Sequence, residues 1–81
     1  MDVDILFFAS YRDLTGTPGL RLTLPPGATV EELVRTVRER GEAFLHLPAR
    51  PAVAVNHTVV PHGHVLTDGD EVAFLPPVAG G

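Results

Sequence analysis

The sequence predicts an α+β domain: a mixed sheet with one main helix packed across one face, continued by an extended C-terminal tail. Three observations predict it. Strand-type runs stand near both ends, at 3–9 and 71–75, and an amphipathic helix pattern lies between them at 29–40. The final six residues, Pro76-Pro77-Val78-Ala79-Gly80-Gly81, begin with two residues that lack a backbone N–H, so no strand ladder continues through them.

Taken in order, residues 3–9 alternate Val3, Ile5 and Phe7 against Asp4, Leu6 and Phe8. Both faces become apolar by Phe8, which predicts a central strand with its second face partly covered. Residues 10–16 fit one helical turn, with Ser10 as cap and Gly16 as terminator. After the turn at Thr17-Pro18-Gly19, Leu20, Leu22 and Leu24 alternate with Arg21 and Thr23, predicting a half-exposed strand paired to the first. Pro25-Pro26-Gly27 ends it. Thr29 and Glu32 have capping-box spacing, and Val30, Leu33, Val34 and Val37 form one apolar stripe. Glu31 with Arg35, and Arg35 with Glu39, are four-apart pairs on the wet side, and Gly41 is the expected stop.

Residues 42–51 carry little pattern; Phe44, Leu45 and Leu47 are expected to cover one edge of the core. Residues 52–56 predict a strand with Val53 and Val55 inward, followed by short extended pieces at 58–60 and 65–66 around Pro61-His62-Gly63-His64. Thr67-Asp68-Gly69-Asp70 is a turn of the Asp-Gly kind, and residues 71–75 close the sheet with Val72 and Phe74 inward.

Two strands, a helix, short strands and a last strong strand pack most economically with the helix across one face of a mixed sheet, and the first and last strands parallel at its centre. This is the β-grasp, or ubiquitin-like, arrangement. It divides the chain into a domain at 1–75 and a tail at 76–81. It also turns Leu6, Phe8, Ala73 and Leu75, with Ala54, away from the helix, an apolar patch beside the root of the tail and a candidate docking site.

Composition narrows the chemistry. The 81 residues suit one small core, and 44% of them are apolar. Without Cys there is no disulfide, thiolate metal site or cysteine nucleophile, and without Lys no side-chain amine to accept an isopeptide bond. A net charge of −4 argues against nucleic acid and anionic membrane as partners. The acidic start Met1-Asp2-Val3-Asp4 runs straight into a strand, which predicts a cytoplasmic protein.

The tail is the candidate reactive element. Six extended residues reach roughly 20 Å, and Gly80 and Gly81 have no Cβ, so they fit a narrow channel and leave the terminal carboxylate open to attack. A carboxylate becomes electrophilic only when its oxygen is made a leaving group, for example as an anhydride with AMP. A sulfur donor then gives a thiocarboxylate, and an amine gives an amide.

With these elements placed, the chain resembles the MoaD/ThiS family of ubiquitin-like sulfur carriers, in particular its branch of molybdopterin synthase small subunits. The resemblance rests on Leu6-Phe7-Phe8-Ala9 with Arg12-Asp13-Leu14 and Gly16, on Ala54-Val55-Asn56, and on the unbroken run from Leu66 through the Thr67-Asp68-Gly69-Asp70 turn to Gly81. Asp13 stands where the family often has Glu, Ala79 where a hydroxyl residue is common, and residues 42–51 match nothing.

The resemblance implies that Gly81 is adenylated by an E1-like adenylyltransferase using ATP, then thiocarboxylated from a sulfur donor such as a cysteine desulfurase system. Pro76, Pro77, Val78, Ala79 and Gly80 would insert into the large subunit of molybdopterin synthase, where two deliveries of sulfur turn cyclic pyranopterin monophosphate into molybdopterin within a heterotetramer. No cofactor is bound, and the chain is a sulfur-donating subunit without an active site of its own.

Rival readings differ in what attacks the activated terminus. Carriers for thiazole synthesis or tRNA thiolation share the fold and diglycine, and a ubiquitin-like modifier would end in an isopeptide bond. A metal module is suggested by His57, His62 and His64, though surface histidines without Cys are the commoner case.

Overall fold

The computed structural model describes residues 1–77. The first strand, β1 (Asp2–Phe7), buries Val3, Ile5 and Phe7 as its alternation predicts. Its neighbours are β2 (Gly19–Thr23), antiparallel, and β5 (Glu71–Leu75), parallel. Beyond β5 lie β3 (Ala52–Val55) and β4 (Thr58–Val60), so the five-stranded order is β2-β1-β5-β3-β4. The helix α2 (Val30–Arg38) buries its whole apolar stripe, Val30, Leu33, Val34 and Val37, in the same core as the inner faces of β1 and β5. Each such side chain contributes about 1.5–3 kcal/mol. Phe7 and Phe74, inward on adjacent central strands, meet edge to face at 5.4 Å, a favoured ring geometry. This is the β-grasp.

Several local expectations change. The first helix is α1 (Ala9–Thr15), ended by Gly16 in the left-handed region, but Ser10 is not its cap; Phe8 holds that position, with no side-chain cap bond. The chain turns from β1 into α1 through Ala9 at φ 45°, a conformation the alternating pattern cannot reveal. The main helix ends at Arg38, with Glu39 as its C-cap rather than Gly41, which instead precedes a 3₁₀ turn over Glu42–His46. Thr29 does cap it, accepting from Glu32 N at 3.3 Å, while His62 O and His64 O take the N–H groups of Glu31 and Val30. The loop at 61–64 is therefore a helix cap made of backbone. Glu31 lies 3.9 Å from Arg50, and neither four-apart pair along the helix forms an ion pair among the described residues.

Leu47 is buried and Phe44 packs on Phe7 at 6.1 Å, but Leu45 is 56% exposed and takes no part in the core. Asn56 leaves the strand. With His57 it forms a tight turn at φ 49° and 74° that joins β3 to β4. The piece expected at 65–66 reduces to one bridge, Thr29 to Val65, beside the buried Leu66.

Candidate functional site

Strand pleating sets the open face. Leu6 pairs with Ala73, which pairs with Ala54, giving one row across β1, β5 and β3; Leu75 lies opposite Ala52 one row nearer the tail. Leu6, Ala73 and Leu75 are half-buried and Phe8 is 45% exposed. Ala54, expected to be exposed here, is buried, because its small side chain sinks between the neighbouring strands. Phe8 lies just past the end of β1, where the turn into α1 begins.

A cleft of about 390 Å³ opens beside Leu6, with Gly19, Leu20, Asp4 and Glu71 around it. Gly19 makes it possible: a Cβ there would sit 2.4 Å from Ile5 O, so only glycine lets β2 approach β1 so closely. In the sequence Gly19 marks only a turn; its close approach to β1 is a spatial feature that no local pattern signals.

The opposite end of the face is charged. Asp4 pairs in register with Glu71, an unfavourable neighbourhood for two carboxylates. Each has a nitrogen partner on its far side: Arg21 Nε is 3.0 Å from Asp4, and His57 Nε2 is 3.2 Å from Glu71. The hydrogen bond and charge of Asp4 raise the Arg21 guanidinium above its ordinary value.

The acidic turn locks the root of β5. Asp70 Oδ1 accepts from Asn56 Nδ2 at 2.9 Å and Thr67 Oγ1 at 3.0 Å, and its Oδ2 from Thr67 N at 2.8 Å. Asn56 in turn accepts from Glu71 N at 3.0 Å. Gly69 N donates to Asp2 O, and Asp2 N donates to Asp68 Oδ1, both at 2.7 Å. The turn thus ties the starts of β1 and β5 together, a role that its sequence marks only as a turn.

At the other end of β5, Pro76 is half-buried and Pro77 exposed. A cleft of about 500 Å³ lies there, lined by Tyr11, Leu75 and both prolines among others. Val78, Ala79, Gly80 and Gly81 lie outside the described residues.

The chain as a whole has known relatives. A profile of the ThiS family matches residues 5–81. The chain belongs to the ThiS family. It is 41% identical over 81 residues to the molybdopterin synthase sulfur carrier subunit of Escherichia coli (strain K12), covering 98% of this chain and 99% of that one. It is 36% identical over 80 residues to the subunit of the same name from Mycobacterium tuberculosis, covering 98% and 96%. Its fold superposes with a TM-score of 0.75, at 26% identity and over 100% of both chains, on a chain from the complex of subunits 1 and 2 of molybdopterin-converting factor from Helicobacter pylori 26695.

For this ThiS-family domain, the geometry brings Leu6, Ala73 and Leu75 together, with Phe8 at their margin. The three histidines do not converge: His57 faces Glu71, and His62 Nε2 donates a hydrogen bond to Pro51 O at 2.7 Å. Among the described residues, no three His, Asp or Glu side chains gather as metal ligands, and no helix is long and apolar enough to cross a membrane.

Proposed function

We propose that the chain is the sulfur-carrying small subunit of molybdopterin synthase, with residues 1–75 as a rigid body and 76–81 as its delivery arm. The observation that carries this reading is full-length likeness to proteins named sulfur carrier subunits, on a fold whose central strand feeds directly into Pro76 and Pro77. A Gly81 carboxylate oxygen attacks the α-phosphorus of ATP in an E1-like adenylyltransferase, releasing pyrophosphate. The terminal sulfur of a donor persulfide then adds to the carbonyl carbon and AMP leaves with the oxygen; a thiol cleaves the resulting acyl disulfide, forming a disulfide with the donor sulfur and leaving the terminus as a thiocarboxylate. Pro76 to Gly80 carry it into the large subunit, where sulfur passes to cyclic pyranopterin monophosphate.

Leu6, Phe8, Ala73 and Leu75 dock the body on that subunit in a cytoplasmic heterotetramer. Their side chains are apolar, so burying them adds apolar area to the interface. ATP belongs to the activating partner, and the carrier binds no cofactor itself.

The test is intact mass after incubation with the adenylyltransferase, ATP and a sulfur donor. One sulfur should replace one oxygen, and addition of the large subunit and pterin should reverse it. Deleting Gly81 should abolish the exchange with no change in thermal unfolding. A deletion variant that still takes up and hands on sulfur, or a terminus found only as amide links to other proteins, would overturn the reading.

A further inference from the structure

Arginine is unevenly placed on this acidic molecule. Of its six arginines, Arg35, Arg38 and Arg50 line one cleft of about 260 Å³ between the outer side of α2 and the segment entering β3. Arg38 Nε donates to Leu47 O at 2.9 Å, which fixes the plane of its guanidinium and leaves the terminal nitrogens for other partners. Among the described residues Arg50 pairs with Glu31, 3.9 Å away between exposed side chains, a pair that water and salt largely screen. Among the described residues that line the cleft Glu31 is the single carboxylate, beside three guanidinium groups.

Arg50 also walls the cleft at the root of the tail. That second space is apolar, and it includes Tyr11, which is more than nine-tenths buried. Tyr11 forms part of the wall of this cleft together with Leu75 and Pro51. The two spaces meet at Arg50 as one groove with a basic half and an apolar half.

We propose that this groove docks an extended acidic segment of a partner protein, its carboxylates on Arg35, Arg38 and Arg50 and an apolar side chain against Tyr11 and Leu75. Charge complementarity chooses the occupant. Planar guanidinium forks match carboxylates bidentately, and the apolar half calls for a body that a free ion lacks. The exposed Glu32, Glu39 and Glu42 nearby interrupt the continuous basic stripe that a nucleic acid requires. Arg35 and Arg38 lie on the helix side of the core and Leu6 and Ala73 on the open side, and the groove meets the open sheet face at Ala52 and Leu75, its end nearest the tail. A protein gripping the arginines therefore leaves most of that face uncovered, and this surface does not depend on the sulfur-carrier reading.

The test is ¹⁵N NMR of the full chain titrated with a blocked peptide of aspartates and glutamates around one leucine. Saturable shifts should concentrate on Arg35, Arg38, Arg50 and Tyr11 and weaken steeply with added salt. Arg35→Gln with Arg50→Gln, both at exposed positions, should lower affinity about tenfold. Arg21→Gln, on the other face, should leave it unchanged. The proposal is overturned if a lysine version of the peptide gives the same shifts, if inorganic phosphate alone reproduces them, if they scatter onto Arg12 and Arg21, or if none saturates. Should the double variant unfold more easily, the wild-type salt dependence and the lysine peptide decide.

Discussion

Replacing Asp70 by Ala tests whether the acidic turn is a structural lock. Three donors converge on this buried carboxylate at 2.8–3.0 Å. Hydrogen bonds to a charged group are worth about 1.5–3 kcal/mol each in favourable cases, but Asn56 and Thr67 are exposed enough for water to replace part of what is lost. At about 1 kcal/mol per bond, Asp70→Ala should destabilise by ~3 kcal/mol at neutral pH, a large share of the 5–15 kcal/mol typical of a domain. Asp70→Asn keeps one acceptor oxygen but turns an NH₂ toward a donor, and should cost about 2 kcal/mol.

The pH dependence gives a second readout. Burial pushes the Asp70 carboxyl up, but the hydrogen bonds from Thr67 N, Asn56 and the Thr67 hydroxyl, with the charge of His64, outweigh it and hold the group below its ordinary value. A depressed folded value means that its contribution is complete above the unfolded value, near 3.9, and is lost as pH falls through the folded one. Urea unfolding at neutral pH and in steps below about pH 4 should show the wild type losing an increment that neither variant loses. Equal urea midpoints for wild type and Asp70→Ala at neutral pH, or parallel acid slopes, would refute the lock.

Three further outcomes follow from the geometry. Gly19→Ala places a methyl 2.4 Å from Ile5 O and should cost about 1–3 kcal/mol by forcing β2 from β1; a variant as stable as wild type in urea would mean the strands separate freely. Ala9→Gly relieves a left-handed alanine at φ 45° and should stabilise by about 1 kcal/mol, read as a higher melting temperature; a fall would show that the loss of chain entropy dominates. Leu6→Asp, at a half-buried position on the open face, should leave the melting temperature within a few degrees while weakening association with the large subunit at least about tenfold by calorimetry; unchanged affinity would remove Leu6 from the docking face.

The main elements were legible because each is amphipathic on a regular period. Val3, Ile5 and Phe7, the stripe from Val30 to Val37, and Val72 with Phe74 all point inward as their spacing requires. What escaped was set by contacts distant in sequence. Glu31 finds Arg50 rather than Arg35, and Ala54 is buried by neighbours that its own strand does not name. The Asn56-His57 turn was hidden inside an apolar run, although Asn tolerates the left-handed region and could have signalled it. Of the candidate site, the row of Leu6 and Ala73 was readable from pleating alone. The cleft opened by Gly19 and the clustering of Arg35, Arg38 and Arg50 were not, because neither is periodic.

If the proposed delivery role holds, the position of β5 bears on how the segment that follows it could be drawn into another protein without unravelling the body. This strand is hydrogen-bonded on both sides, parallel to β1 and antiparallel to β3, and its last residue still pairs with Ala52. Its start is held by the Asp70 and Asn56 bonds, and its middle by Val72 and Phe74, both fully buried. Pro76 lacks the N–H needed to extend either ladder, so pairing stops at a fixed point. Tension on the arm therefore meets two ladders and the core together, a load that an edge strand such as β4, with a single neighbour, could not share. An arm rooted in β4 would peel one bond at a time; an arm rooted in β5 moves only as far as its own residues allow.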